Sequence, residues 1–292
     1  MSSSAVPPTG SDAGPDEPLG ESAPLAWRDA PALCTGTCLP YHRVWQYLRW
    51  LGLITSIRTN TDFLAGAFRR LASSHSRVLV SGTADYGMLA QLHHAYGPAP
   101  LHATVVDLCP TPLMLNRWYG DRFGRTVRTV QHDAVSYADD TLFDLIATHN
   151  FLGRFDDANR QQLVANWWRL LRPGGEVVTT QRVRPLGQAG KTGYSEEQAE
   201  ALAQLAADAA ARAGFAAADT PTFRDTVREY ARRKKSMAIR STAEITACFE
   251  SCGFTIDLLD EGGGTVERQH DRPSSTAGLD TFRMRVIARK PG

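Results

Sequence analysis

From Arg77 onward, short apolar and β-branched runs alternate with amphipathic stretches. The runs RVLVS (77–81), HATVVDL (102–108), VRTVQHD (127–133), FDLIATH (143–149) and GEVVTTQRV (175–183) read as strands, and about 86–96, 111–123 and 157–171 read as helices. Strands this apolar are covered on both faces, so the alternation predicts a parallel sheet with helices on either side. Over 184–240 the pattern breaks: alanine-rich SEEQAEALAQLAADAAARAG and basic FRDTVREYARRKKS predict two inserted helices. It resumes with helix STAEITACFESCGF, strand FTIDLLD, a glycine-rich turn EGGG and strand TFRMRVIAR. Seven strands in this order predict a doubly wound, mostly parallel α/β sheet.

Two helices precede the first strand. In YHRVWQYLRWLGLI, Tyr41, Val44, Trp45, Leu48 and Leu51 or Gly52 recur at helical spacing, and TDFLAGAFRRLASS follows with Thr61 or Asp62 as its cap. Residues 1–28 are rich in Pro, Gly, Ser and acid and predict a mobile tail. The chain thus divides into a tail (1–28), N-terminal helices (29–75) and a sheet domain (76–292) with a helical insertion at 184–240.

Composition narrows the function. Lys plus Arg total 32 against 31 acidic residues, a net charge of +1 that provides no general field for nucleic acid or an anionic membrane. The basic run RRKKS (232–236) reads as a solvated helix face rather than an RNA contact. No apolar run approaches the ~20 residues of a membrane span, and the N-terminus lacks a signal peptide's basic start and apolar core. A soluble, cytoplasmic protein is expected. The five cysteines are an odd number without framework spacing. Cys34 and Cys38, and again Cys248 and Cys252, are four residues apart, but neither pair has nearby partners to complete a zinc site. The cysteines are therefore read as small buried residues, and no metal is expected.

In an open parallel sheet the ligand lies outside the carboxyl ends of the strands. Ser81, Gly82, Thr83, Ala84 and Asp85 form the turn after the first strand, where backbone N–H groups come close to a ligand. Asp107, followed by Leu108, ends the second strand, where a carboxylate accepts both ribose hydroxyls of an adenosine. Asp133 with Ala134 ends the third, where a carboxylate accepts adenine's exocyclic amine. His149 and Asn150 end the fourth and face the cleft, His149 as a general base near neutral pH and Asn150 to orient an amine or carboxylate.

In VLVSGTADYG, VVDLCP, QHDAVSY, FDLIATHNFLGRF, LLRPGGEVV and the late pair of strands, the sequence resembles the class I S-adenosylmethionine-dependent methyltransferase superfamily over residues 77–290. The resemblance implies S-adenosylmethionine as cofactor and methyl transfer to a small molecule, with Gly82, Thr83, Ala84 and Asp85 near the methionine moiety. Thr83, Asp85 and Tyr86 stand where the family usually alternates glycines. The cofactor has no phosphate to cradle, and Asp85 is positioned by sequence to take up its ammonium group. A nicotinamide dehydrogenase would need room for a pyrophosphate. The N-terminal helices correspond to the family's lid, which brings Tyr41 and Trp45 to the cofactor as an aromatic face for the sulfonium, with Tyr41 also a catalytic candidate. THNF does not match the Asn-Pro-Pro-Tyr type of base methylation. The sequence is also faintly similar to the related enzymes that cyclise S-adenosylmethionine to azetidine-2-carboxylate, releasing methylthioadenosine; there Asn150 or a tyrosine would hold the bent pose. A non-catalytic binding module is the third reading, against which Asp107 and Asp133 speak.

Overall fold

The computed structural model describes residues 15–54, 56–72, 76–184, 191–216, 221–262 and 281–292. Helices α1 (Leu19–Leu33), α2 (Leu39–Trp50) and α3 (Thr61–Leu71) lead into β1 (Arg77–Ser81), α4 (Gly87–Tyr96), β2 (His102–Asp107), α5 (Pro110–Arg122), β3 (Val127–Gln131) and β4 (Phe143–His149). Then come α6 (Asp157–Leu170), β5 (Leu171–Val183), β6 (Lys191–Gly193), α7 (Glu196–Arg212), α8 (Pro221–Arg233), β7 (Lys235–Met237), α9 (Thr242–Glu250), β8 (Thr255–Glu261) and β9 (Phe282–Arg289). The main sheet has seven strands in the order β3-β2-β1-β4-β5-β9-β8. The first five pair in parallel, and β9 runs antiparallel to both β5 and β8. The doubly wound, mostly parallel sheet read from the sequence is the fold observed.

Each strand's two-residue period divides it between two cores. Val78, Val80, Leu145 and Ala147 face α3 and α4, whereas Leu79, Ile146 and Val177 face α6 and α9. Local capping sets the helix starts: Asp156 accepts the Asn159 N–H at 2.9 Å, Ser195 and Gln198 form a reciprocal capping box, and Ser241 accepts from Glu244 at 3.1 Å.

A third core lies outside the sheet. Val44, Tyr47 and Leu48 of α2 pack with Ala199, Leu202, Ala203 and Ala206 of α7 and with Phe223, Val227 and Tyr230 of α8. The inserted helices and the N-terminal helices therefore form one layer, and β6 and β7 add a short antiparallel hairpin.

The tail expected over 1–28 stops short. Residues 1–14 are outside those described, but from Leu19 the chain is helical, with Ala23, Ala26 and Ala30 fully buried. Alanine carries little hydrophobic contrast, and Pro24 and Pro31 inside α1 argue locally against a helix; tertiary burial overrides both. Part of the EGGG turn lies outside the described residues. Among the described residues no helix is long and apolar enough to cross a membrane.

Candidate active site

The carboxyl ends of β1, β2 and β3 build the first corner. Gly82 takes φ +69°, donates its N–H to Val106 O at 2.9 Å, and lies so close under the Phe151 ring that any Cβ would enter it. Ser81 is scaffold: its hydroxyl accepts the buried Trp167 Nε1–H at 2.9 Å, and its carbonyl accepts from Thr148 at 2.8 Å. Asp107 clamps the turn. Its Oδ2 accepts the Thr83 N–H at 3.0 Å and its Oδ1 the Cys109 N–H at 2.8 Å. Burial raises this carboxyl above the usual range, against the pull of the two amides. The parallel pairing Asp107↔Gln131 and the 3.1 Å bond from His132 N–H to Asp107 O bring β3's end alongside. There Asp133 Oδ1 accepts the Val135 N–H at 2.9 Å, and Ala134 is buried with its carbonyl held by Asn166 at 2.8 Å. Leu108, next to Asp107, is an apolar side chain left 65% exposed.

Asp85 is turned into the protein. It is buried and bonded to Arg49 at 2.6 Å and to the Gly87 N–H at 2.7 Å, and Arg49 in turn holds Glu17. Burial opposes charge on Arg49, but Asp85 and Glu17 outweigh it and raise its pKa. The ammonium-binding role expected of Asp85 is thus corrected, because an arginine of α2 already occupies it. Thr83 bonds the Asp85 carbonyl, and Tyr86 is fully buried, stacked on Tyr119 at 4.7 Å.

The second corner is formed by the ends of β4, β5 and β9 under α2 and α8. His149 Nε2 accepts from Asn60 at 3.4 Å and from Asn150 at 3.3 Å. Burial, then Arg283, Arg182 and Arg49, push its pKa down to about 3. It is neutral and already bonded, which does not fit the general-base role expected near neutral pH. Asn150 stands at φ +51°, donates its N–H to Thr180 O at 2.8 Å, and leaves a buried Oδ1 without a partner. A strained, non-glycine residue with an unsatisfied carbonyl at a strand end is characteristic of ligand sites.

Tyr41 lies 4.9 Å from Trp45 and stacks on Tyr230 at 5.8 Å, and burial raises its phenol. These rings frame a group that the sequence reading missed. Lys234 places its ammonium 5.5 Å from the centroid of Tyr230 and 5.9 Å from those of Trp45 and Tyr194. Burial, then Arg182, Arg154, Arg283 and Arg184, push it down to about 7. Arg182 and Arg283 are direct cross-strand partners on β5 and β9, and burial, then Arg182, push Arg283 down to about 9. Among the described residues none of Lys234, Arg182 and Arg283 has a carboxylate within ion-pair distance, and Arg283 Nη1 is buried without a hydrogen-bond partner. RRKKS is thus not wholly solvated. Phe223, Val227 and Tyr230 mark the buried face of α8, and Lys234 continues that spacing one turn on, a signal present in the sequence.

The expectation about cysteines also changes. Cys34, Cys38, His42 and Cys109 meet, with their ligand atoms all within 4.8 Å of one another. His42 was one helical turn from Cys38 in the sequence, and Cys109 arrives through the fold.

Residues 81–179 match the family described as Methyltransferase domain. Comparison with curated proteins gives no match. Among solved structures the chain is similar to the 4+2 cyclase SpnF, with TM-score 0.54, 13% identity and coverage of 85% of this chain and 92% of that one. It is also similar to an S-adenosylmethionine-dependent methyltransferase from Clostridium acetobutylicum, with TM-score 0.53, 12% identity and coverage of 84% and 96%. A third is the S-adenosylmethionine-dependent methyltransferase SibL, with TM-score 0.50, 17% identity and coverage of 91% and 62%. At these identities the likeness is one of fold.

Proposed function

We propose, for a chain whose residues 81–179 match a methyltransferase domain, that it is a class I S-adenosylmethionine-dependent methyltransferase whose acceptor is a small molecule bearing a carboxylate or similar anionic group. The observation that carries this reading is the convergence of Arg182, Arg283 and Lys234 without a carboxylate partner among the described residues. Buried like charges are costly to assemble and persist where a ligand supplies the missing counter-charge.

The first corner fits the cofactor. Asp107 keeps one lone pair on each oxygen beyond those its two amides use, enough for two ribose hydroxyls. Asp133 and Ala134 would meet the adenine, Leu108 would cover its face, and Gly82 to Ala84 would line the methionine end, with Tyr41 and Trp45 above the sulfonium. When bound, the cofactor supplies an electrophilic methyl group. The chain's own residues orient the acceptor: Arg182 and Arg283 would hold its anionic end, and the Asn150 carbonyl would accept from a nucleophilic N–H or O–H. An acceptor that must lose a proton needs a base, and Lys234, at about 7, is matched to neutral pH in a way that His149 is not.

The test is turnover against paired acceptors, each acid beside its primary amide, read as S-adenosylhomocysteine formed. Acids should turn over and amides should not; equal rates for both members of the pairs would overturn the anionic-acceptor reading.

One observation favours a second reading, in which the cofactor is its own acceptor. With Asp85 locked to Arg49, the acid expected to hold the cofactor's ammonium is missing, and nearby cations favour a neutral amine. That amine would attack the γ-carbon as the carbon–sulfur bond breaks, giving azetidine-2-carboxylate and methylthioadenosine, with the proton passing to Lys234 or solvent. The 4+2 cyclase sharing this fold is consistent with chemistry beyond methyl transfer. Incubation with S-adenosylmethionine alone separates the readings: methylthioadenosine above an enzyme-free control, matched by the cyclic amino acid, favours cyclisation, and its absence excludes it.

A further inference from the structure

We infer that Cys34, Cys38, His42 and Cys109 bind one structural zinc ion that ties the N-terminal helices to the ribose corner. Three elements deliver the four side chains. Cys34 follows the last turn of α1, Cys38 precedes α2 with His42 one turn further on, and Cys109 sits between β2 and α5. The separations are 3.6 Å from Cys34 Sγ to Cys109 Sγ, 3.7 Å from Cys38 Sγ to Cys109 Sγ, and 3.5 Å from Cys34 Sγ to His42 Nδ1.

These lengths select a metal over the alternatives. Bonds of about 2.3 Å to sulfur and about 2.0–2.1 Å to nitrogen give a tetrahedron edges of about 3.8 Å between sulfurs and about 3.6 Å from sulfur to nitrogen, close to the separations here. A disulfide would need about 2.0 Å. Three thiolates and an imidazole are a soft donor set that suits zinc, and four protein ligands close the shell, the mark of a structural rather than a catalytic ion. His42 and Cys109 are buried, as a closed site requires. Thr111 Oγ lies 3.1 Å from Cys34 Sγ, placed to donate to the thiolate, an outer contact typical of such centres.

The position gives the ion a task. The N–H of Cys109 donates to Asp107 Oδ1, so fixing Cys109 fixes the carboxylate that would take the ribose. On the other side, α2 carries Tyr41, Trp45 and Arg49 toward the site. This coupling, unlike the metal site itself, rests on the methyltransferase reading.

The test uses the full chain, purified reduced and without chelator. Elemental analysis should find about one zinc per chain in the wild type and in Cys248→Ser, and none in Cys109→Ser. Should Cys109→Ser fail to fold, His42→Cys, which preserves a four-ligand set, should retain zinc. Reconstitution of the metal-free chain with Co2+ should give the intense visible bands of tetrahedral thiolate coordination. Zinc no higher in the wild type than in Cys109→Ser, a disulfide among these cysteines, or iron with sulfide in place of zinc would each overturn the inference. S-adenosylhomocysteine titrated before and after zinc removal tests the coupling, with affinity expected to fall at least about tenfold, the scale of one lost charge-assisted hydrogen bond. Unchanged affinity would refute the coupling and leave the zinc site standing; no binding in either form would refute the cofactor reading instead.

Discussion

Replacing Arg49 by methionine removes a buried cation while keeping most of its volume. The side chains of Arg49, Glu17 and Asp85 are 2%, 0% and 6% exposed, so the change leaves two carboxyls facing each other out of water. Among the described residues Arg58 alone remains paired with them, 3.2 Å from Glu17 and more than half exposed. Removing one partner of a buried ion pair costs about 3–5 kcal/mol. Proton uptake limits the loss, because one carboxyl can become neutral. Raising a glutamate of ordinary pKa, about 4.3, to its neutral form at pH 7 costs about 3.7 kcal/mol. Glu17 is the group that takes the proton: burial already raises it, Asp85 raises it further, and Arg49 is the main force holding it down.

The expected loss is therefore about 4 kcal/mol at pH 7. The sign of its pH dependence follows. In the variant the folded state holds Glu17 protonated well above the unfolded pKa, so this contribution is full below about 4.3 and is lost as pH rises through the folded value. The penalty should shrink by up to about 1.4 kcal/mol per unit as pH falls from 7 toward 5. Urea unfolding followed by circular dichroism at several pH values reads it directly, and Arg49→Met combined with Glu17→Gln should abolish the slope. A penalty flat with pH, or below about 1 kcal/mol as for an exposed pair, would refute the reasoning.

Gly82→Ala pairs a left-handed backbone cost of about 1–2 kcal/mol with eviction of the Phe151 ring; calorimetric binding of S-adenosylhomocysteine should be lost and partly restored by adding Phe151→Ala, and unchanged binding would refute the close approach. Turnover should rise with pH through about 7 as Lys234 sheds its proton, and Lys234→Met should remove that limb from the rate profile while leaving cofactor affinity within about threefold. Arg283→Met should raise the melting temperature of the ligand-free protein, because it relieves a buried like-charge pair with Arg182, while raising KM for an acidic acceptor about tenfold or more. A lowered melting temperature would show that the pair is already neutralised within the protein.

The strands were legible because their signal is local. Val78 to Val80 and Leu145 to Ala147 are continuous apolar runs, and the sheet needs nothing more than their order to be recognised. Asp107 was legible for the same reason, since a strand end is a position in sequence as well as in space. Asp85 was not: its partner Arg49 lies 36 residues earlier and reaches it only when α2 docks. Lys234 was hidden by its neighbours, because one charge turned inward looks no different from the three turned outward until the buried face of α8 is counted. Cys109 stands 75 residues from Cys34, a distance no spacing rule spans.

The same contacts indicate which part of the covering layer opens. α2 is joined to the sheet domain by buried charge, Arg49 to Asp85, and by the Cys34, Cys38, His42 and Cys109 group. Breaking either leaves charged or metal-binding groups without partners, so α2 is a poor hinge. α8 is joined to the N-terminal helices by rings, Tyr230 on Tyr41 and Phe223 on Trp27 and Tyr47, and α7 faces the core largely through alanines. Apolar contacts can part without orphaning a polar group, and alanine buries little area for each residue ordered. The insertion should therefore open while α2 stays seated. Hydrogen exchange should be faster in α7 and α8 than in α2, and S-adenosylhomocysteine with an acidic acceptor should slow it chiefly in α8, where Lys234 meets the ligand. Exchange of α2 and α8 as one cooperative unit, at one common rate, would show that the layer moves whole and would remove the reason for treating the insertion as the door.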